Sequence, residues 1–144
     1  MPITTAVCNS YKLEALRGVH LDTDVYKIAL IKAGEAGTFD KATTNYSDLG
    51  SDEASGTGYT AGGLILTGGL WVLTGDTASI DWSDAVWAAA SISADGALIY
   101  NSTRADRAVQ VISFADTSTI PVTSTNANFT VVIPSSGTGQ IRLT

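Results

Sequence analysis

Short runs of alternating apolar and polar residues dominate the chain and predict β-strands rather than long helices. Pro121 indicates an edge strand, because proline cannot donate a hydrogen bond to a neighbouring strand. Roughly eight to ten short strands at regular spacing predict an all-β fold: one antiparallel β-sandwich domain of jelly-roll type, residues 1–144. The runs are 25–32, 64–67, 70–73, 78–82, 108–114, 120–122, 129–134 and 140–144, with a predicted turn at 135–139 between the last two.

The most specific local signal is the dipeptide Asp95-Gly96, which lies between the β-prone runs 86–94 and 97–104. Asp-Gly suits a two-residue type I′ turn, since both central residues of that turn need a positive φ. The sequence therefore predicts a β-hairpin in which Ile92 lies opposite Ile99 and both face the core. A helix over the preceding alanines competes, but the Asp-Gly break makes it shorter than a normal helix.

One helix is predicted, over residues 9–17, near the N-terminus. Asn9 or the serine after it can cap the helix, and Gly18 stands where helices commonly end. Leu13 and Leu16 form an apolar stripe that is too small to stabilise two helical turns alone. The helix is therefore expected to dock, either on the chain's own sandwich or on a neighbouring subunit.

Two further segments invite interpretation. Lys27 lies on an otherwise apolar face of the strand 25–32, which indicates a sheet edge or a subunit contact. Residues 38–63 form a long, polar, glycine-rich segment, predicted to be an extended loop or arm that lies against a partner. Its glycines do not predict a phosphate site, because the required lysine and following helix are missing. After it, the runs 64–67 and 70–73 form either a hairpin or one strand bent at Gly68-Gly69.

Composition narrows the class of protein. The chain has 8 Lys and Arg against 14 Asp and Glu, a net charge of −6, which argues against binding nucleic acid. No apolar stretch reaches the length of a membrane span, and no secretory leader is evident. The chain is thus expected to be made in a cytoplasm and to contact no membrane. Hydrophobic residues reach 44% and charged residues only 15%, a balance that fits a subunit of an assembly.

Few residues could carry chemistry, so no enzymatic activity and no cofactor are predicted. Cys8 is the single cysteine and cannot form an internal disulfide; a Cys8–His20 pair is geometrically possible, but two such residues do not fill a zinc site. Acidic residues predict either a solvated surface or calcium binding, although none has the spacing of a calcium loop. The acidic groups are Asp22 with Asp24, Asp48 with Asp52 and Glu53, and Asp81 with Asp84.

Several separated motifs resemble the small virion proteins of tailed bacteriophages. They occur in order over nearly the whole chain: residues 9–12 with Glu14, Leu16 and 18–20, then 24–30, then Glu53 with 55–60 and 62–63, and finally 96–101. The resemblance implies a structural protein of the phage particle, in particular a capsid cement or decoration protein made in the bacterial cytoplasm.

The leading hypothesis is therefore a protein that binds the outer capsid surface and bridges subunits of the major capsid protein. Its expected partners are the major capsid protein and itself, as a homodimer or homotrimer. The alternative is a tail or fibre module that binds a host-surface glycan through Trp71, Trp82 or Tyr59, although tryptophans in a sandwich, Trp87 included, more often belong to the core. The candidate partner contacts are Asn9, Tyr11, Leu13, Leu16, Lys27, Tyr59 and Trp71.

Overall fold

A computed structural model describes residues 3–134 and 139–144. The described chain is mostly β, with antiparallel sheets and two short helices, so the predicted class is confirmed at that level. The helices are α1 (Asn9–Leu16) and a 3-10 helix (Tyr46–Asp52). The strands are β1 (Ala6–Val7), β2 (Tyr26–Lys32), β3 (Leu64–Ile65), β4 (Leu70–Thr74), β5 (Thr77–Asp81), β6 (Ala85–Ala90), β7 (Ser93–Asn101), β8 (Arg107–Ser113), β9 (Val122–Thr123), β10 (Ala127–Val131) and β11 (Ile141–Leu143).

The largest sheet has six strands in the order β1-β8-β7-β2-β3, with β9 also paired to β7. Its centre is β2 and β7, where Ile28 pairs with Ile99 and Leu30 with Ala97. Almost every residue of these two strands is buried, which explains their nearly continuous apolar sequences. β9 follows Pro121 and pairs with β7 alone, as expected for a short edge strand.

Two smaller sheets complete the fold: β6 pairs with β10, and β11, β5 and β4 form a three-stranded sheet. The prediction that 64–67 and 70–73 form a hairpin or one bent strand is wrong. β3 joins the large sheet beside β2, whereas β4 pairs with β5. Gly68, with a φ of +66°, lies in the connection and allows the sharp change of direction between the sheets.

The predicted hairpin at Asp95-Gly96 is also wrong. β7 runs straight through both residues, and β6 pairs with β10 instead. Opposite this point Ile31 pairs with Gly96 and Lys32 with Ala94, so Asp95 is the extra residue of a β-bulge. A Cβ on Gly96 would lie 2.5 Å from the carbonyl oxygen of Ile112. The glycine is therefore required by close approach of β8 and not by a turn.

The buried apolar side chains of the described chain form one cluster. Aromatic contacts connect the sheets: Tyr26 of β2 lies 5.6 Å from Trp71 of β4, and Phe114 lies 6.1 Å from Phe129 of β10, measured between ring centroids. The predicted turn at 135–139 falls largely outside the described residues. Among residues 3–134 and 139–144, no helix has the length and apolar character needed to cross a membrane.

Candidate interaction surface

The helix α1 carries two of the predicted contact residues on an exposed face. The helix docks on its own large sheet through Tyr11 and Glu14, whereas Leu16 is 87% exposed and Leu13 is 50% exposed. Tyr11 is buried instead, with its ring 4.7 Å from the ring of His20. Asn9, Leu13 and Leu16 share one side of the helix because they are four and three residues apart. We call these three residues the helix surface.

Both ends of α1 are defined by backbone geometry. The N-cap is Cys8, not Asn9, and the Asn9 side chain instead accepts a hydrogen bond from Lys12 Nζ at 3.1 Å. At the other end Gly18 has a φ of +68°, and its amide donates to the carbonyl of Ala15 at 3.1 Å. The glycine thus ends the helix as predicted, by the left-handed conformation that favours this residue.

A network of charged and polar groups fixes α1 against the large sheet. Glu14 Oε1 accepts a hydrogen bond from Arg107 of β8 at 2.6 Å, and Glu14 Oε2 lies 2.7 Å from His20 Nε2. His20 Nδ1 lies 3.0 Å from the side-chain nitrogen of Asn101. Since that amide donates, Nδ1 accepts and Nε2 carries the proton that it donates to Glu14.

The Cys8–His20 pair, which the sequence leaves geometrically possible, is not formed. Both ring nitrogens of His20 are used by Glu14 and Asn101, so no free nitrogen remains to activate a thiol. Cys8 is fully buried, and burial raises the pKa of its thiol to about 12. The two residues therefore serve the packing around α1, because a thiol of that pKa holds almost no thiolate near neutral pH.

Asp24 links the same network to the end of β7. Arg104 donates to both carboxylate oxygens of Asp24, at 2.8 and 2.9 Å, and Asn101 Nδ2 donates to Oδ2 at 2.8 Å. These hydrogen bonds hold the pKa of Asp24 well below its usual range. Because both oxygens of Asp24 already accept hydrogen bonds from other side chains, Asp22 and Asp24 do not form a set of calcium ligands.

Lys27 does not lie at a free sheet edge, because β2 is paired on both sides by β3 and β7. Its Nζ lies 6.0 Å from the centre of the Tyr100 ring, and a Cβ on Gly62 would lie 3.1 Å from the same nitrogen. The side chain is half-buried between the sheet and the glycine-rich segment. An intramolecular contact thus replaces the predicted subunit contact.

The segment 38–63 is not an extended arm, and it packs on the large sheet of its own chain. Glu53 accepts three hydrogen bonds: from Tyr46 Oη at 2.6 Å, from Tyr59 Oη at 2.8 Å and from the backbone amide of Gly62 at 2.6 Å. The Tyr59 hydroxyl also accepts from the amide of Leu30 at 3.0 Å. Close approach explains the glycines, since a Cβ on residue 63 would lie 1.8 Å from a β2 carbonyl oxygen.

The tryptophans do not form one platform. Trp82 is buried against Tyr26 and the edge of Trp71, whereas Trp87 is buried beside Tyr59 and Phe129. Trp71 is half-buried at the border of the three-stranded sheet. Of the aromatic residues considered for glycan binding, Trp82 is buried, whereas Trp71 and Tyr59 are half-buried and pack on the core.

The three-stranded sheet presents apolar side chains that the sequence analysis did not single out. Leu73 pairs with Ala78, and Ala78 pairs with Leu143 across the sheet, so the three side chains lie on one face. Leu73 is 70% exposed and Leu143 is 67% exposed. Two residues along, Trp71 and its neighbours on the same face pack on the core. The face of this sheet that packs on the core is therefore exposed to solvent at one end, around Leu73 and Leu143.

A pair of carboxyl groups lies at the β-bulge. Asp95 is 8% exposed, and its Oδ2 accepts from the amide of Gly34 at 3.0 Å. Asp95 Oδ1 and Glu35 Oε2 are buried without a hydrogen-bond partner among the described residues. Burial, with the neighbouring Asp95, raises the pKa of Glu35. Nearby, Lys32 and Asp52 form an ion pair at 3.0 Å.

No group of three or more potential metal ligands occurs within the described ranges. A cavity of about 540 Å³ is lined mainly by apolar groups such as Phe114 and Phe129. One lining carboxylate, Asp116, already accepts a hydrogen bond from the hydroxyl of Thr5. In the part of the chain that the structure describes, no nucleophile, base and acid converge on a cleft.

Comparison of the chain with family models, with curated proteins and with solved structures found no match in any of the three.

Proposed function

We propose that this chain is a structural protein of a tailed-bacteriophage particle that binds the outside of the capsid and strengthens contacts between major capsid protein subunits. The proposed role is structural and not enzymatic. The observation that carries the proposal is the helix surface, where Leu13 and Leu16 are exposed to solvent. The helix is held on the large sheet by the hydrogen bond that Arg107 donates to Glu14 at 2.6 Å. Exposed apolar side chains on a rigid support are typical of protein contact sites.

Three further features support this role. The motifs shared with small virion proteins of tailed phages run through α1, the segment 38–63 and β7. The surface has a net charge of −6, which suits an outward position, away from the packaged genome. Many symmetry-related copies can also add modest contacts into strong binding. The glycan-binding alternative has weaker support, since Trp82 is buried and the Tyr59 hydroxyl is bonded to Glu53 and Leu30.

The finer architecture belongs to the same proposal. We infer that the antiparallel sheets pack as a β-sandwich of jelly-roll type. Support comes from aromatic contacts between the large sheet and the three-stranded sheet, such as Tyr26 of β2 with Trp71 of β4 at 5.6 Å between ring centroids. These contacts place side chains of different sheets in one core.

Quantitative mass spectrometry of purified phage particles tests the location. A capsid cement protein is expected at a copy number comparable to that of the major capsid protein. A handful of copies, or copies in separated tails alone, would overturn the proposal.

Binding to empty capsids that lack this chain tests the helix surface. Leu16→Asp should weaken binding by about tenfold or more, because a charge would be buried at a contact made by an apolar side chain. Val132→Asp is the matched control, since Val132 is 72% exposed but lies outside the helix surface. Equal binding of both variants and the wild type would exclude this surface as the capsid contact.

A further inference from the structure

The strand β4 is an edge of the three-stranded sheet, whose order is β11-β5-β4. It pairs with β5 through all five residues from Leu70 to Thr74, and no other described strand or isolated bridge pairs with its outer side. A strand edge of this kind offers unpaired backbone amides and carbonyls, which readily add another strand.

β4 lacks the features that usually protect an edge. The edge strands β1 and β3 have two residues each, and β11 carries Arg142. The outer side of β6 is covered, because Ser91 donates to the Thr57 carbonyl at 2.9 Å and Gly58 lies against Ala90. β4 is longer than these short edges and contains no charged residue or proline, and within residues 3–134 and 139–144 no strand pairs with its outer side.

The distribution of charge selects a second copy as the occupant. The chain carries a net charge of −6, yet residues 54–75 contain no Asp, Glu, Lys or Arg. A pairing of β4 with β4 therefore brings no two charged side chains of these strands together. A partner chosen by opposite charge would find no charge on this strand to recognise.

The sequence of β4 is also complementary to itself. In an antiparallel pairing centred on Val72, Trp71 lies opposite Leu73 of the second copy, and Leu70 lies opposite Thr74 of the second copy. Trp71 and Leu73 are on the face that packs on the core, so each aromatic–aliphatic pair extends that apolar face across the junction. The pairing has a two-fold axis and closes after two copies.

We propose that two copies of this chain associate by antiparallel pairing of β4 with β4, which joins their three-stranded sheets into one sheet of six strands. Five paired residues with their side chains cover less than the roughly 800 Å² per partner of a standard interface. The dimer is therefore weak and concentration-dependent. It does not depend on the capsid as a partner, since it is a property of the chain in solution.

Sedimentation equilibrium of the full chain, from low micromolar to submillimolar concentration, tests the pairing. The wild type should show a monomer–dimer equilibrium, and Leu73→Lys should raise the dissociation constant by about tenfold or more by placing a charge opposite Trp71. Leu143→Lys is the matched control, with the same substitution on the same face at the opposite edge; its dissociation constant should stay within about twofold of the wild type.

A second measurement keeps the proposal testable if Leu73→Lys fails to fold. Val72→Cys should form a disulfide-linked dimer on mild oxidation, since the two cysteines meet at the two-fold axis, whereas Leu143→Cys should not. The native Cys8 is fully buried and does not interfere. A wild type that stays monomeric, an equal effect of Leu143→Lys, or open-ended assembly would overturn the pairing. A monomer would leave the capsid proposal standing, because that proposal is tested by copy number in particles.

Discussion

The side chain of Glu53 joins three parts of the segment 38–63 and orients Tyr59, which accepts a hydrogen bond from Leu30 of the large sheet, so its removal should destabilise the whole protein. Glu53→Ala takes the acceptor from Tyr46, Tyr59 and the amide of Gly62. A hydrogen bond to a charged group contributes about 1.5–3 kcal/mol, so three such bonds give roughly 5–9 kcal/mol at face value.

The expected loss is smaller than that sum. Glu53 is half-buried, so water can hydrogen-bond to some of the donors that lose their acceptor. In addition, the energies of hydrogen bonds that share one carboxylate are not additive. We therefore expect Glu53→Ala to lower the free energy of unfolding by about 3 kcal/mol. Glu53→Gln should cost about 1 kcal/mol, because the amide oxygen still accepts while the amide nitrogen faces a donor.

Urea unfolding followed by tryptophan fluorescence measures this loss. Tyr59 stacks on Trp87 at 6.0 Å between ring centroids, so release of the segment changes the surroundings of that tryptophan. Trypsin cleavage at Lys41 gives an independent readout, since cleavage should speed up when the segment detaches. Asp76→Ala, in the exposed β4–β5 turn, is the control and should change stability by no more than about 0.5 kcal/mol. A loss below about 1 kcal/mol for Glu53→Ala would refute the reasoning.

Three further changes test other parts of the structure. Asp24→Asn should destabilise the protein, because it removes the carboxylate that accepts from Arg104 and Asn101; because the Asp24 pKa is lowered, the wild type should lose this stability as the pH falls below about 4, while the variant changes less. The raised pKa of Glu35 has the opposite sign: stability should fall as the pH rises above the ordinary value of 4.5, and Glu35→Gln should flatten that dependence in urea unfolding at pH 4.5 and 8. Gly96→Ala should cost about 2 kcal/mol, measured by urea unfolding, because its Cβ would lie 2.5 Å from a β8 carbonyl oxygen. An unchanged pH profile in Asp24→Asn or Glu35→Gln, or a neutral Gly96→Ala, would contradict the corresponding contact.

The sequence predicted the local elements better than their partners. The strand 25–32, the helix 9–17 and its end at Gly18 agree closely with the structure, because periodicity and glycine geometry are local properties. The dipeptide Asp95-Gly96 misled the prediction, since Asp-Gly suits a bulge as well as a turn. The bulge forms here because the carbonyl of Ile112 in β8 lies close to Gly96. The sequence alone does not show that β8 lies beside this residue.

In the candidate site, too, local features were easier to predict than tertiary contacts. Leu13 and Leu16 were expected to be apolar contacts, and their exposure agrees with a contact to something outside the chain. The sequence alone does not reveal that the segment 38–63 packs on the large sheet, where Tyr59 accepts from Leu30 and Gly62 lies beside the Lys27 side chain. The polar contacts of His20 with Asn101 and of Glu53 with Tyr59 lie within the chain and support its own fold.

The pairing of β1 with β8 bears on how the protein is made. Ala6 of β1 pairs with Val111 of β8, and the ribosome adds Val111 about a hundred residues after Ala6. β1 therefore cannot pair until most of the chain has been synthesised. Until then β1 and α1 lack the strand on which they dock, and the leucines of the helix are exposed on an unfinished chain. Attachment of the N-terminal helix is therefore expected to be a late event in synthesis, so that a partner of the helix meets a rigid surface only after β8 is complete.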